Sequence, residues 1–274
     1  MSDHPQPARE LEDRVVLVVG ASQGSGRAYV LALARAGAKV VAAARTVSKP
    51  GEPDSTSTLE GIAREAGREG HSVDVIACDI ERDADVHAMT EQIVARHGRI
   101  DAVVVSAGIY PRHDALAISP EEWDHTMRVN VRGPYFVIRE VAPHMINQGA
   151  GSITILTSMC AEQTERGSPA HLNLMLYGVS KAAVNRLATW FAAELGPHGI
   201  AVNAISPGAA LTDNWRRIDP DQFEEFVRAG TGNPATPEVL GPPIVYLARQ
   251  SAATLTGQIL HTNTFGTSWG LQKG

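Results

Sequence analysis

The chain has 274 residues, of which 43% are hydrophobic and 20% are charged, and its formal net charge is −6 at pH 7. This length fits one large α/β domain or two small domains of an ordinary globular protein. The negative charge argues against nucleic acid or an anionic membrane surface as the main partner, and apolar runs such as residues 15–19 are far too short to span a bilayer.

Cysteine and histidine usage argues against a disulfide framework and a metal centre. The two cysteines, Cys78 and Cys160, form no CxxC motif, and the ten histidines form no HExxH motif or Cys/His cluster. The polar N-terminus lacks the apolar core of a signal peptide. We therefore predict a cytoplasmic protein without a catalytic metal.

Apolar, β-branched runs alternate with helical patterns along the chain. Residues 1–13 are predicted to form a flexible tail and residues 14–274 a single domain, in which residues 209–235 have the composition of an amphipathic lid. In chain order, the predicted elements are strand 14–19, helix 25–36, strand 39–44, helix 59–69, strand 71–77, helix 83–97, strand 102–105, helix 120–145 with a bend at Gly133-Pro134, strand 152–157, helix 175–195, strand 200–205, helix 237–249 and strand 258–262.

A glycine-rich turn joins the first predicted strand to the first helix. Its sequence is Gly20-Ala21-Ser22-Gln23-Gly24-Ser25-Gly26. Such a turn lets the backbone approach a pyrophosphate at the N-terminus of the helix, where N–H groups are free. The alternative is that the glycines only close a tight strand-to-helix connection.

The end of the second predicted strand indicates which dinucleotide would bind. In a dinucleotide-binding fold, a carboxylate at this point binds the 2′-hydroxyl of NAD, whereas an arginine accommodates the 2′-phosphate of NADP. Arg45 and Thr46 occupy this point, with no acidic residue beside them. The sequence therefore favours NADP, with NAD possible; the alternative is that Arg45 is merely a solvated arginine.

Polar residues in the middle of the chain also follow predicted strands. Asp79, followed by Ile80, could bond an adenine amino group or could simply form a turn. Ser106-Ala107-Gly108 follows the fourth strand. Asn130 lies inside the helix predicted over 120–145, where asparagine is a poor helix former, so it needs another explanation.

Tyr177 and Lys181 are four residues apart in the helix predicted over 175–195. This spacing places both side chains on one helix face, about one turn apart. A nearby ammonium favours the phenolate, and a tyrosine with a lowered pKa could exchange a proton with an alcohol or ketone oxygen. The alternative is a surface tyrosine and lysine that share helical spacing by chance.

The polar motifs converge on one edge of the predicted sheet. The glycine turn, Arg45, Asp79, Ser106–Gly108, Ser158 and Pro207-Gly208 all follow strands, and ligands of parallel sheets bind beyond the carboxyl ends of the strands. The alternating elements predict right-handed crossovers. We therefore predict an α/β fold, a Rossmann-like doubly wound, seven-stranded parallel sheet with helices on both faces.

With these motifs in this order, residues 12–270 resemble the short-chain dehydrogenase/reductase family. The glycine turn is similar to the family's T-G-x-x-x-G-x-G, with Val19 in place of threonine, and Ser106-Ala107-Gly108 is similar to N-A-G. Tyr177 and Lys181 match Y-x-x-x-K, and Pro207-Gly208 followed by Thr212 matches P-G-x-x-x-T.

The resemblance implies a tetrad of Asn130, Ser158, Tyr177 and Lys181 in an NAD(P)-dependent alcohol dehydrogenase or ketoreductase. Tyr177 would be the general acid/base, Lys181 would lower its pKa and bond the nicotinamide ribose, Ser158 would bind the substrate oxygen, and Asn130 would hold a water linked to Lys181. The implied cofactor-binding residues are Gly20, Ser22, Gln23, Gly24, Ser25, Gly26, Arg45, Thr46, Asp79, Ile80, Ser106, Ala107, Gly108, Tyr177, Lys181, Pro207, Gly208 and Thr212, the last at the carboxamide.

Three departures from the family pattern carry expectations of their own. Val19 and Ser106 lie where the family fold braces the glycine turn, so we expect altered local hydrogen bonding and weaker cofactor binding. Ser158 and Tyr177 are 19 positions apart, which is more than is usual in the family. The extra residues, within 161–174, are expected to build a wall of the substrate pocket.

The residues expected to line this pocket are mostly apolar, and they predict a medium-sized, mainly apolar alcohol or ketone, such as a cyclic, terpenoid, steroid or polyketide-like compound. Cys160 could line the site, but a buried filler is the simpler interpretation, and His113 and His171 are more simply solvated loop residues. The pocket residues are Tyr110, Met159, Leu172, Leu174, Met175, Trp215 and Phe226.

Two other classes of function remain open. The chain could be a non-catalytic NAD(P)-binding sensor or partner protein, although the complete tetrad speaks against this. It could also be an epimerase, dehydratase or enoyl reductase on the same scaffold. The resemblance further implies a homotetramer or homodimer, with contacts through the helix that carries Asn130, the helix that carries Tyr177 and the last strand.

Overall fold

The structure is a computed structural model that describes residues 10–48, 57–162, 173–208 and 237–270, together with five positions between 208 and 237. Most of the predicted lid lies outside these ranges. The same holds for five predicted site residues, namely His171, Leu172, Thr212, Trp215 and Phe226.

Seven parallel strands form one sheet in the order β3-β2-β1-β4-β5-β6-β7. The chain order of the strands reverses between β1 and β4, which is the switch point where such sheets bind ligands. This arrangement confirms the predicted Rossmann-like fold. The strands are β1 Val15–Val19, β2 Lys39–Ala44, β3 Val73–Ala77, β4 Ala102–Val105, β5 Gly151–Leu156, β6 Ile200–Ser206 and β7 Ile259–His261.

Helices cover both faces of the sheet, so the central strands are buried on both sides. On β1, Val16 and Val18 belong to one apolar core, whereas Leu17 and Val19 belong to the other. This explains why these strands are continuous apolar runs without polar alternation. The helices are α1 Gly24–Arg35, α2 Leu59–Arg68, α3 Asp83–His97, α4 Pro120–Met127, α5 Gly133–Gln148, α6 Met175–Leu195 and α7 Gly241–Leu247.

The helix predicted over 120–145 is divided by a π-helical segment, Arg128–Arg132, between α4 and α5. Pro134 has no N–H and cannot donate the bond that the Asn130 carbonyl would accept in an α-helix. The Gly133 N–H instead donates to the carbonyl of Arg128, five residues back. Proline therefore widens the helix where Asn130 lies, and π-segments are frequent at functional sites.

The helix predicted over 237–249 is also shorter than expected. Residues 237–240 form a 3₁₀ turn, and α7 begins at Gly241. Pro242 and Pro243 explain the difference, because proline is accepted in the first turn of a helix but not in its interior.

Apolar side chains near both ends of the described chain are buried. Leu11, in the predicted flexible tail, is fully buried, and its N–H donates to the Ala36 carbonyl. Trp269, in the C-terminal stretch, is buried beside Phe265 and Tyr246. None of the described helices combines the length and apolar character that crossing a membrane requires.

Candidate active site

Ser158, Tyr177 and Lys181 meet where β5 ends and α6 begins. The Ser158 hydroxyl is hydrogen-bonded to the Tyr177 phenol, and the Lys181 Nζ lies 5.7 Å from the centroid of the Tyr177 ring. The predicted helical spacing thus brings phenol and ammonium together, and the end of the strand brings the serine to them.

Ser158 is held in an extended conformation at the start of a short 3₁₀ turn, Met159–Ala161. Its Oγ accepts a hydrogen bond of 3.2 Å from the Cys160 N–H. This bond fixes the serine oxygen beside the phenol, and it leaves the serine O–H proton for a second partner.

Lys181 is only 4% exposed. Its Nζ donates a 2.8 Å hydrogen bond to the Leu156 carbonyl, and its own carbonyl accepts a bond from Thr157 Oγ1. Burial disfavours the charged ammonium and lowers the pKa of Lys181 to about 8.

Burial dominates the protonation of Tyr177. It raises the phenol pKa above its ordinary value, and the hydrogen bond from Ser158 offsets this only in part. The expectation that Lys181 lowers this pKa is therefore not met within the described chain, because the ammonium donates to Leu156 and is itself desolvated. Tyr177 is consequently protonated at neutral pH, as a proton donor to a carbonyl oxygen must be.

Asn130 is fully buried in the π-segment, and its side chain bonds only to protein groups. Oδ1 accepts from the Ile109 N–H at 2.8 Å, while Nδ2 donates to the Ile109 carbonyl at 2.9 Å and to Ser180 Oγ at 3.0 Å. The amide therefore joins the loop after β4 to α6. These bonds use both Nδ2 hydrogens, whereas Oδ1 keeps a second lone pair, and a water between Asn130 and Lys181, as the resemblance implies, stays a prediction.

Gly108 keeps the space between Asn130 and Lys181 open. A Cβ at this position would lie 3.2 Å from Asn130 Oδ1 and 3.5 Å from Lys181 Nζ. A side chain at position 108 would therefore crowd two members of the predicted tetrad, which explains the glycine of the Ser106-Ala107-Gly108 motif.

Ser180 is a site residue that the sequence analysis missed. It is fully buried, donates a 2.7 Å hydrogen bond to the Tyr177 carbonyl and accepts one from Asn130. Its position three residues after Tyr177 places it on the same helix face, and this spacing was the available signal.

The glycine turn is closed so tightly that two of its glycines cannot be replaced without moving backbone. A Cβ on Gly26 would lie 2.1 Å from the Gly20 carbonyl oxygen, and a Cβ on Gly20, where φ is +85°, would lie 2.3 Å from the Ala107 nitrogen. Gln23, at the N-cap of α1, provides no side-chain cap. These features fit a pyrophosphate, which would bind the first N–H groups of the helix.

Backbone hydrogen bonds brace this turn at both positions that depart from the family pattern. The Val19 carbonyl accepts from the N–H groups of Ser106 and Ala107 at 2.8 and 2.9 Å. The Ala43 carbonyl accepts from Gly20 and Ala21. The Val19 side chain lies in the core, so the exchange of threonine for valine costs none of these bonds.

The remaining predicted cofactor residues line the same sheet edge. Arg45 is exposed at the end of β2, and Thr46 follows it. Asp79 Oδ1 accepts from the Glu81 N–H at 3.1 Å, which is the turn that the sequence offered as the alternative. Ile80 is buried against Gly133, and Gly208 has a φ of +70°.

The predicted pocket residues that the structure describes differ in exposure, and one of them contacts Tyr177. The Tyr110 ring contacts the Tyr177 ring, Met159 and Met175 are 37% and 40% exposed, and Leu174 is buried. Cys160 is half-buried beside Tyr177. His113 is a loop residue whose side chain is 38% exposed and pairs with Glu122 at 3.2 Å.

Between pH 7 and pH 9.5, we expect the free energy of unfolding of the wild-type protein to rise with pH. We expect Lys181→Met to abolish this rise. A lysine with an ordinary pKa of 10.5 in the unfolded chain and about 8 in the folded chain binds more protons when unfolded in this range. Folding stability therefore rises with pH, by about 2 kcal/mol from this group alone.

Urea unfolding of both proteins at pH 7, 8 and 9.5 measures this difference. The highest pH in this series, 9.5, lies below the pH range in which the raised pKa of Tyr177 would lower the free energy of unfolding. If the free energy of unfolding changed with pH in the same way in both proteins, desolvation of the Lys181 ammonium would be contradicted.

Comparison with known proteins was made at three levels. A family model described as enoyl-(acyl carrier protein) reductase matches residues 20–264. The short-chain reductase protein NovJ of Streptomyces niveus is 32% identical over 92% of this chain and 93% of its own length. The 3-oxoacyl-[acyl-carrier-protein] reductase FabG of Thermotoga maritima is 32% identical over 91% of this chain and 96% of its own length.

A solved structure shows the same architecture with a dinucleotide. The gluconate 5-dehydrogenase from Burkholderia cenocepacia, in complex with NADP and tartrate, matches with a TM-score of 0.77 and 29% identity, over 94% of this chain and 96% of that chain. The similarity extends over nearly the full length of both proteins.

Proposed function

Because the chain belongs to the short-chain dehydrogenase/reductase family, we propose that it is an NAD(P)-dependent oxidoreductase that interconverts a secondary alcohol and a ketone. The observation that carries this proposal is the hydrogen bond between Ser158 and Tyr177, with Lys181 on the same helix face. A sensor that only bound a dinucleotide would not need a serine hydroxyl and a tyrosine hydroxyl bonded to each other beside a lysine.

The chemistry divides between cofactor and protein. When bound, the reduced nicotinamide supplies a hydride to the carbonyl carbon. Tyr177 donates its proton to the carbonyl oxygen, which becomes the alcohol oxygen, and Ser158 stabilises the negative charge that develops there. Lys181 can return a proton to the site, since its pKa of about 8 lies near neutrality.

Reduction of ketones by the purified protein tests the proposal. We expect oxidation of NADPH, with a product two mass units heavier, when cyclic, terpenoid or steroid ketones are added. An isomeric or dehydrated product would indicate an epimerase or dehydratase, and reduction only of a conjugated double bond would indicate an enoyl reductase. Binding of NADPH without any turnover would favour the non-catalytic alternative.

The proposed substrate is medium-sized and mainly apolar. Met159 and Met175, which both precede Tyr177 in the chain, expose apolar side chains, and such residues suit an apolar substrate. The panel should include sugar acids and free sugars, because one solved relative is named as a gluconate 5-dehydrogenase. Activity confined to those compounds would overturn the apolar substrate while leaving the oxidoreductase intact.

NADP is the proposed cofactor, and Arg45 is the residue that would select it. We expect Arg45→Ala to raise the Kd for NADPH about 10-fold or more while changing the Kd for NADH little, because a charge-assisted bond to the 2′-phosphate is lost. Titration followed by nicotinamide fluorescence measures both constants. The matched control is Arg68→Ala, in the exposed last turn of α2, and equal losses for both cofactors would contradict the role of Arg45.

Self-association is proposed through α5 and α6. These helices expose Tyr135 and Trp190, the latter 58% exposed, and the Arg186 guanidinium lies over the Trp190 ring. Exposed aromatic and arginine side chains are typical of interface cores. A homodimer or homotetramer would bury them. We also propose a cytoplasmic location, since Cys78 and Cys160 are free thiols.

A further inference from the structure

Tyr110 makes a ring contact with Tyr177 that the proposed chemistry does not use. It lies on the loop after β4, two residues after Gly108, and it is half-buried. The two ring centroids are 4.7 Å apart and the ring planes meet at 62°, an edge-to-face arrangement that aromatic pairs favour.

The loop that carries Tyr110 is fixed on both sides of this residue. Ile109, directly before it, forms two backbone hydrogen bonds with the Asn130 amide. Three residues after it, the His113 N–H donates to the Asn173 carbonyl at 3.0 Å. Tyr110 is therefore positioned by a tetrad residue on one side and by the start of α6 on the other.

The Tyr177 ring needs a neighbouring side chain to hold it, because Tyr177 lies in the first turn of α6. It is the third residue of the helix, and Leu174 at the N-cap provides no side-chain hydrogen bond to the first turn. Uncapped first turns leave backbone donors without partners and fray readily. Gly178, the next residue, has no side chain, and its backbone lies against the Cys160 carbonyl, where an added Cβ would be only 2.8 Å from the oxygen.

Two further groups contact Tyr177. Lys181 approaches the ring from one turn along α6, and Ser158 bonds the hydroxyl. Among the described residues, Tyr110 adds an aromatic contact to these two. The two phenols are close enough that an ionised Tyr110 would raise the pKa of Tyr177.

We propose that Tyr110 is a positioning residue whose ring holds the Tyr177 phenol against Ser158 and shields it from water. This inference rests on the proposed function, since it assigns Tyr110 an effect on the proposed proton donor. We assign this role to the ring of Tyr110, because the ring makes the described contact with Tyr177.

Two variants separate the ring from the hydroxyl. Tyr110→Phe keeps the ring, and we expect its kcat to stay within about 3-fold of the wild-type value. Tyr110→Leu removes the ring, and we expect kcat to fall about 10- to 100-fold with an unchanged KM for NADPH, because small misplacements of a reacting group cost rates of this size. Equal losses in both variants, or no loss in either, would overturn the proposal.

A measurement without turnover keeps this inference separate from the proposed function. Tyrosine can be labelled with ¹³C at Cζ, and the Tyr177 resonance identified by its loss in Tyr177→Phe. We expect Tyr177 to remain protonated well above the ordinary phenol range in the wild-type protein and in Tyr110→Phe, because burial raises its pKa. In Tyr110→Leu, water reaches the phenol, and ionisation should move down toward pH 10.

An unchanged titration in Tyr110→Leu would overturn the proposal even if the protein proves to be an active oxidoreductase. Conversely, a wild-type protein without turnover would refute the proposed function and leave the titration valid. Lys181 and Cys160, the other titratable neighbours of Tyr177, are the same in all variants. Tyr110→Met provides a second variant without the ring if Tyr110→Leu does not fold.

Discussion

Tyr177→Phe is expected to lower kcat for ketone reduction by about 10²- to 10⁴-fold, the usual contribution of a positioned general acid. The substitution removes the proton donor and the hydrogen-bond partner of Ser158, but it keeps the ring that contacts Tyr110 and Lys181. The fold and the Kd for NADPH should therefore change little. Steady-state kinetics together with an NADPH titration measure both quantities.

The control for this substitution is Tyr246→Phe, which removes a phenol oxygen from α7, where the ring contacts Phe265 and Trp269. Its kcat should stay close to the wild-type value. Full activity in Tyr177→Phe would mean that another group protonates the carbonyl oxygen. If the variant lost turnover but the biological output were unchanged, the protein would act by binding and not by catalysis.

The tetrad residues could be predicted because their chemistry is local in the sequence. Tyr177 and Lys181 share a helix face at a spacing of four, and Ser158 follows a strand whose apolar pattern is unambiguous. Parallel strands then bring these positions to one edge of the sheet. Few other arrangements of these residues are possible once the order of strands and helices is known.

The electrostatics of the site could not be predicted in the same way. A nearby ammonium lowers a phenol pKa in water, but here Lys181 is buried, Tyr177 is half-buried, and the ammonium donates to the Leu156 carbonyl. Desolvation depends on every side chain that excludes water from the site. The balance between charge and burial therefore follows from the packing and cannot be deduced from the spacing of two residues.

Asn130 and Ser180 illustrate an intermediate case. The sequence indicated that Asn130 needed a reason to lie inside a helix, but not that Pro134 would change the helix to a π-segment or that the amide would bond Ile109 and Ser180. A side-chain hydrogen bond between residues 50 positions apart has no periodic signature. It becomes visible only when α6 is packed against the loop after β4.

Gly26→Ala is expected to destabilise the protein by about 3 kcal/mol and to abolish tight binding of NADPH. The added Cβ would lie 2.1 Å from the Gly20 carbonyl oxygen and 2.9 Å from its carbonyl carbon. These are backbone atoms of a turn already held by the Ala43 carbonyl, so the strain cannot be relieved by a side-chain rotation. Overpacking of this kind costs about 1–3 kcal/mol or more, and moving the turn displaces the N–H groups that would bind the pyrophosphate.

Gly67→Ala is the matched control, because the same methyl group is added within a helix, where no atom lies within 4 Å of it. Alanine is the better helix former, so this variant should be more stable by about 0.5–1 kcal/mol and should bind NADPH as the wild-type protein does. Urea unfolding and fluorescence titration of the two variants separate the steric effect at the turn from the general effect of replacing glycine. If Gly26→Ala bound NADPH normally, the dinucleotide would not bind at the glycine turn, and the role of α1 as the pyrophosphate site would be wrong.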